Sequence, residues 1–240
     1  ERSMNAGGLV LDMSARDRIL AAIRAGLGEP RQDPGAIAAE AEALLADPDA
    51  IRPRLAAATL VDSFAAKATA LGATIDRVTA LGEVPAAVSR YLAMHGLPPS
   101  VALQQSAELT DLPWGDVRTH AAIAADEPAA IGLARWGIAE SGSMVIHSAP
   151  DSPILLAFLP LHHVVILHAA DILAHLEDYA ALLDGGTHPR NAILITGPSG
   201  TTDIEGSYVR GAHGPGYLHV IVILAEDIRQ NATAPGSVSA

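Results

Sequence analysis

The chain has 240 residues, 50% of them hydrophobic and 18% charged, which is enough to bury a core around one domain with an appendage. Fifteen Lys and Arg stand against 27 Asp and Glu for a net charge of −12, and the basic residues are scattered without a run, which excludes a surface built to neutralise nucleic-acid phosphates. There is no cysteine, which excludes disulfides, thiolate nucleophiles and cysteine-ligated zinc or iron–sulfur centres within these residues.

Aromatic residues make up only 3%, and the apolar volume comes from Ala, Leu, Ile and Val. That palette suits helices packed on a sheet, so the expected class is α/β. No run approaches a membrane span, since the longest apolar stretch, residues 154–161, already contains a proline. No basic segment followed by an apolar core opens the chain, so a cytoplasmic location is expected. Residues 1–12 precede a second methionine, Met13, and their status as native sequence stays open.

Ser14 with Asp17 has capping-box spacing, and Ile19, Leu20, Ile23 and Leu27 then share one helical face. This short amphipathic helix cannot stand alone in water. It is expected to dock on the main domain or on a neighbouring subunit, which allows a homo-oligomer. Residues 28–35, with two prolines, read as a linker, so an arm over 1–35 precedes a main domain over 36–228 and a flexible tail over 229–240.

Pro53 suits the first turn of a helix whose apolar positions Leu60, Val61, Phe64, Ala68 and Leu71 end at Gly72. Residues 73–79 read as a strand. A helix carrying Val84, Val88, Tyr91, Leu92 and His95 follows, and then a strand over 101–104. After a polar loop over 106–116, residues 119–125 again have a strand pattern. Trp114 and Trp136, the only indoles, lack interleaved basic residues and read as anchors in the core or loops.

Residues 143–148 read as a buried strand, with Glu140 before them on a tight bend beside Gly142. Two readings stay open: a carboxylate placed for chemistry or ligand contact, or a plain turn with Glu140 in water. Residues 154–159 read as buried, His162 and His163 stand at the entrance of a strand over 164–167, and Ile172, Leu173, Leu176, Tyr179 and Leu183 read as one helix stopped by Gly185-Gly186. A strand over 192–196 then leads into GPSGTTDIE, residues 197–205. Strand, glycine-bearing loop and helix start would present backbone N–H groups to a carboxylate or phosphate, although Thr202 and Glu205 also satisfy a capping box. The segment is neither a Walker motif nor a dinucleotide fingerprint. His213 follows, held between small residues in GAHGP, before the apolar strand over 218–224. An imidazole there can act as general base, hydrogen-bond donor or metal ligand, or merely shape the turn.

Four segments, GIAESGS at 137–143, LPLHHVV at 159–165, TGPSGTTDIE at 196–205 and GAHGPGYLHV at 211–220, resemble in this order the LUD domain of the lactate utilization protein C family. The resemblance covers about residues 36–224 and departs from the family pattern at Ser141 and Ser143, where threonines are usual, and at Gly200, where a larger residue is common. It implies a fold of the NagB/RpiA/CoA-transferase kind, a parallel sheet with helices on both faces. It also implies a part in oxidising L-lactate to pyruvate together with iron–sulfur partner proteins, and it specifies no cofactor.

A pocket at the carboxyl ends of the strands is expected, as in open α/β sheets. Its expected members are Glu140 and His213 as catalytic groups, with Ser141, Gly142, Ser143, Ser199, Gly200, Thr201, Asp203, Glu205 and Gly214 against a small carboxylate or phosphate. Three other readings stand beside this one. An acyl or CoA-transferase-like enzyme would use Glu140 as nucleophile. A metal site would draw on His162 or His163 with His213 and Asp203 or Glu205. A plain scaffold would only shape a partner surface.

Overall fold

The computed structural model describes residues 14–28, 33–47, 52–183, 188–202 and 206–224. Outside these lie residues 1–12, the middle of the expected linker, the Gly185-Gly186 stop, Asp203, Glu205 and the tail from Arg229. The chain divides into two compact units, Glu1–Arg52 and Pro53–Ala240.

The first unit carries helix α1, Ala15–Leu27, and helix α2, Pro34–Leu45. Ser14 caps α1 as its spacing predicts, the hydroxyl accepting from the Asp17 N–H at 3.2 Å, and Ile19, Ile23 and Leu27 are exposed. Helix α2 departs from the linker reading. Asp33 accepts the Ala36 N–H and Pro34 stands in the first turn, so the helix runs through Gly35, where the arm was expected to end. Asp-Pro ahead of an alanine-rich run is a helix-start signal.

In the second unit follow, in chain order, α3 (Leu60–Ala70), β1 (Thr74–Val78), α4 (Val84–Met94), β2 (Ser100–Leu103), the single turn α5 (Ala107–Thr110), β3 (Arg118–His120), β4 (Ala129–Leu133), β5 (Trp136–Ile138), β6 (Ser143–His147), β7 (His162–His168), β8 (Ile172–Leu173), α6 (Leu176–Leu183), β9 (Ala192–Ile195), β10 (Gly200–Thr202), β11 (Tyr208–Arg210) and β12 (Tyr217–Ile223). Six strands make one sheet in the order β1-β12-β7-β4-β2-β3, every pair parallel. A second sheet, β8-β5-β6-β9, has antiparallel β5–β6 and β6–β9 pairs, and β10 and β11 form a hairpin.

The parallel sheet is buried on both faces because its central strands are apolar at consecutive positions. Val164 and Ile166 of β7 with Ile221 and Ile223 of β12 pack beneath Val84, Val88 and Leu92 of α4. The alternate residues Val165, Leu167, Val220 and Val222 face Phe64 and Ala68 of α3, with Ala139 just after β5 and Met144 of β6. The α/β class with a parallel sheet flanked by helices therefore holds. The small second sheet, sharing one face with α3, was not legible in advance.

Several local expectations are corrected. Residues 53–59 are not helical: Thr59 starts α3 by accepting the Asp62 N–H at 3.0 Å and donating to its carboxylate at 2.7 Å. The strand expected over 119–125 is only Arg118–His120. Ile172 and Leu173 pair with β5 as a strand, and the helix begins at Leu176. Residues 154–157 form a single 3-10 turn in which Leu156 and Ala157 are buried while Leu155 and Phe158 are exposed. The expected helix start after Gly200 is the β10–β11 hairpin. Among the described residues no helix is long and apolar enough to cross a membrane.

Gly142 is fixed by a close approach. Its φ is +69°, and a Cβ there would lie 2.4 Å from the Ala68 backbone nitrogen in the last turn of α3. Gly142→Ala should cost about 3 kcal/mol or more in urea unfolding, from left-handed strain plus a clash with backbone. Gly96→Ala, where φ is +63° and nothing lies within 4 Å, should cost only about 1 kcal/mol. Equal losses at the two positions would show that the contact with α3 does not constrain the turn.

Candidate functional site

The four segments singled out in the sequence meet through a series of short links. Ser143 lies on β6, and its hydroxyl is 2.8 Å from that of Ser141 and 2.7 Å from that of Thr196. This hydroxyl chain joins the first segment to the third. Beyond Thr196 the chain turns at Gly197, with φ +84° against Leu71, and Ser199 is tied to the fourth segment on both sides. The Ser199 N–H donates to the Pro215 carbonyl at 2.8 Å, and the Gly211 N–H donates to the Ser199 carbonyl at 2.9 Å. His163, from the second segment, lies beside Leu218 in the β7–β12 register.

The result is a cavity of about 210 Å³ lined by Thr196, Ser199, His213, Gly214 and His163, with apolar walls from residues such as Phe158 and Leu218. It lies toward the amino ends of β7 and β12, since His163 and Leu218 are the second residue of each strand. This is the opposite end of the two strands from the carboxyl ends where open α/β sheets are expected to bind. Thr201 pairs with Val209 in the hairpin, and Gly200 leaves room for the Tyr208 ring, whose hydroxyl would lie 2.1 Å from a Cβ there. Asp203 and Glu205 lie outside the described residues.

Glu140 is turned elsewhere. One carboxylate oxygen lies 2.9 Å from His175 Nδ1, and the other accepts the Leu176 N–H at 2.7 Å. It therefore caps the amino terminus of α6, where a carboxylate satisfies an orphan donor and complements the helix dipole. It is not among the residues lining the cavity. The expected grouping thus divides: Ser199, Gly214 and His213 share the cavity, Ser141 and Ser143 reach it through Thr196, and Glu140 with Gly142 secures the fold behind it.

His162 and His163 project to opposite faces of β7, so one ion cannot take both. His162 is 2.9 Å from the Tyr91 hydroxyl through Nδ1 and stacks on Tyr217 with ring centroids 4.3 Å apart. Among the described residues no group of three His, Asp or Glu side chains is disposed to hold a metal ion. His163 is fully buried and neither ring nitrogen has a hydrogen-bond partner. Burial alone pushes its pKa down to about 4, so it is a neutral imidazole at any ordinary pH. Gly132 makes room for it, because a Cβ there would meet Leu156 at 3.2 Å, Gln104 Oε1 at 3.4 Å and His163 Nε2 at 3.6 Å.

A second cavity, of about 340 Å³, lies at the carboxyl ends of β2 and β4 and is lined by Gln104, Ser106, Glu108, Arg135, His147 and Ser152 among others. Sequence reasoning selected none of these. A lone arginine directly after the apolar run AAIGLA was the available signal. A small void bordered by both Gln104 and His163 lies between the two cavities.

The LUD domain family matches the chain over residues 88–223. The uncharacterized protein YkgG of Escherichia coli is 31% identical over 168 residues, 67% of this chain and 71% of that protein. Lactate utilization protein C of Geobacillus kaustophilus is 32% identical over 162 residues, 63% of this chain and 68% of that protein. A crystal structure of a DUF162 family protein from Deinococcus radiodurans superposes with a TM-score of 0.52 at 20% identity, covering 68% of this chain and 96% of that one, which shows a shared fold.

The buried imidazoles set a pH dependence. Burial first, with the nearby His95 second, also holds His162 at about 4, and burial is the main cause of the same value at His219. Each folded pKa lies below the unfolded value near 6.5, so the unfolded chain takes up protons that the folded chain refuses. Stability should be full above about pH 6.5 and fall as pH drops toward 4, with His163 alone accounting for about 3 kcal/mol. Urea unfolding at pH 7.5 and pH 5 should show the loss, and His163→Leu should flatten the slope by close to one proton. An unchanged slope in that variant would mean that His163 titrates normally in the fold.

Proposed function

This chain belongs to the LUD domain family, and on that premise we propose that it serves in lactate utilization, as a ligand-binding or accessory component. In this reading it works with iron–sulfur partner proteins in the oxidation of L-lactate to pyruvate. Converting a hydroxyl carbon to a ketone releases two electrons, and a chain without cysteine has no thiolates to bind a cluster that would carry them. The electrons then pass to partners. The observation that carries the reading is the convergence of three of the four LUD-like segments on a single cavity, to which the first is joined by the Ser143–Thr196 hydroxyl contact, and where Ser199, Thr196 and His213 supply hydroxyl and imidazole groups against an apolar wall.

Acyl transfer through Glu140 draws less support from the geometry. Both of its carboxylate oxygens are engaged at the α6 terminus, whereas a nucleophile needs one facing substrate.

Complementation tests the proposal. In a bacterium whose own LUD gene of the lactate operon is deleted, this chain should restore growth on L-lactate and leave growth on pyruvate unaffected. Iron–sulfur proteins of the operon should copurify with it. Ser199→Trp, which fills the cavity, should fold and fail to complement. Full complementation by that variant, or normal growth of the deletion strain on L-lactate, would sink the proposal.

A further inference from the structure

We propose that the cavity at the carboxyl edge of the parallel sheet is a separate binding site for a short 2-hydroxycarboxylate, with Arg135 holding its carboxylate and Glu108 accepting its hydroxyl proton in a hydrogen bond. The preference for a hydroxy acid rests on the lactate-utilization reading; the site itself rests on geometry.

Topology points to the place. Strands β2 and β4 are parallel neighbours, but the chain leaves β2 toward β3 on one side and leaves β4 toward β7 on the other. Connections that diverge from adjacent strands open a crevice at their carboxyl ends, where open α/β sheets take ligands. Gln104 and Ser106 directly follow β2, and Leu133 and Arg135 close β4. The cavity of about 340 Å³ is ample for a three-carbon acid.

The donors and acceptors on its walls select the ligand. Among the described residues Arg135 makes no ion pair; its guanidinium rests 5.0 Å above the Trp136 ring, and its backbone N–H donates to the Val145 carbonyl at 2.7 Å. His147 contributes no second positive charge near neutral pH, because burial and then the Arg135 charge lower its pKa. Its Nε2 is 2.9 Å from the Tyr179 hydroxyl. Gln104 is buried and held by the Leu133 N–H donating to its Oε1 at 2.8 Å, which orients the side-chain amide. The Ser106 hydroxyl oxygen is buried without a partner.

The same walls carry two acids, Glu108, in short contact with His168 Nε2, and Asp151. One cation and two carboxylates on the walls of one cavity suit a molecule that bears both a carboxylate, for the guanidinium, and a hydrogen-bond donor, for an acid on the wall. A 2-hydroxycarboxylate has both within one small frame.

Titration calorimetry on the full chain, with L-lactate, pyruvate and the uncharged L-lactamide as probes, tests this. Saturable L-lactate binding is expected, weakened about tenfold or more in L-lactamide and in Arg135→Gln, whose thermal melting should match the parent. Pyruvate, which lacks the hydroxyl donor, should bind several-fold more weakly, and Glu108→Gln should erase the difference between lactate and pyruvate. No saturable L-lactate binding, or unchanged binding in Arg135→Gln, would overturn this site. Arg135-dependent binding in a chain that fails to complement growth on lactate would leave the site standing and remove only the proposed function.

Discussion

The pairing of β7 with β12 is the constraint on which the second unit depends. Seven consecutive residues of each strand are in register, from Tyr217 against His162 to Ile223 against His168. Every residue of β7 is buried, as is every residue of β12 except Tyr217. A parallel pair forms only when the intervening chain crosses over, and its reward is the apolar area that α4 covers on one face and α3 with the second sheet covers on the other. Once this register is set, His163 lies beside Leu218, and the loop before β12 must fall across the same end of the sheet as the entrance to β7.

Close backbone approach and short polar links then do the local work. Gly142 lets the β5–β6 turn touch the last turn of α3, and Gly197 lets the chain after β9 turn against Leu71. Ser143 bridges Ser141 and Thr196, so two segments over fifty residues apart along the chain share one hydroxyl chain. Hydroxyls suit such a link because each can donate and accept at once. Glu140 belongs to this scaffold as a helix cap, and its carboxylate helps hold α6 to the bend before β6.

The two cavities differ in chemistry as they differ in place. The one among the LUD-like segments is apolar with a few hydroxyls and imidazoles, whereas the one at the carboxyl edge combines a cation, carboxylates and an amide. Gln104 and His163 both border the void between them, with Gly132 making the space. A buried imidazole with both nitrogens unpartnered is costly to the fold.

Local patterns determined what depends on neighbouring residues alone. The continuous apolar runs of β7 and β12 announce strands buried on both faces, Ser14 with Asp17 announces a helix cap, and four short segments together announce the LUD family. Tertiary structure decided the rest, because hydrogen-bond partners and cavity walls come from residues far apart in the chain. Thr59 rather than Pro53 begins α3, through its bonds with Asp62, and the pairing of Ile172 and Leu173 with β5 overrides their helical spacing. Glu140 reads as a reactive acid beside two hydroxyls until α6, thirty-six residues on, brings an N–H to its carboxylate. Arg135 reads as one scattered basic residue until the sheet order places it on the walls of one cavity with Glu108. Periodicity encodes which face a residue takes; only the closed sheet encodes what stands opposite it.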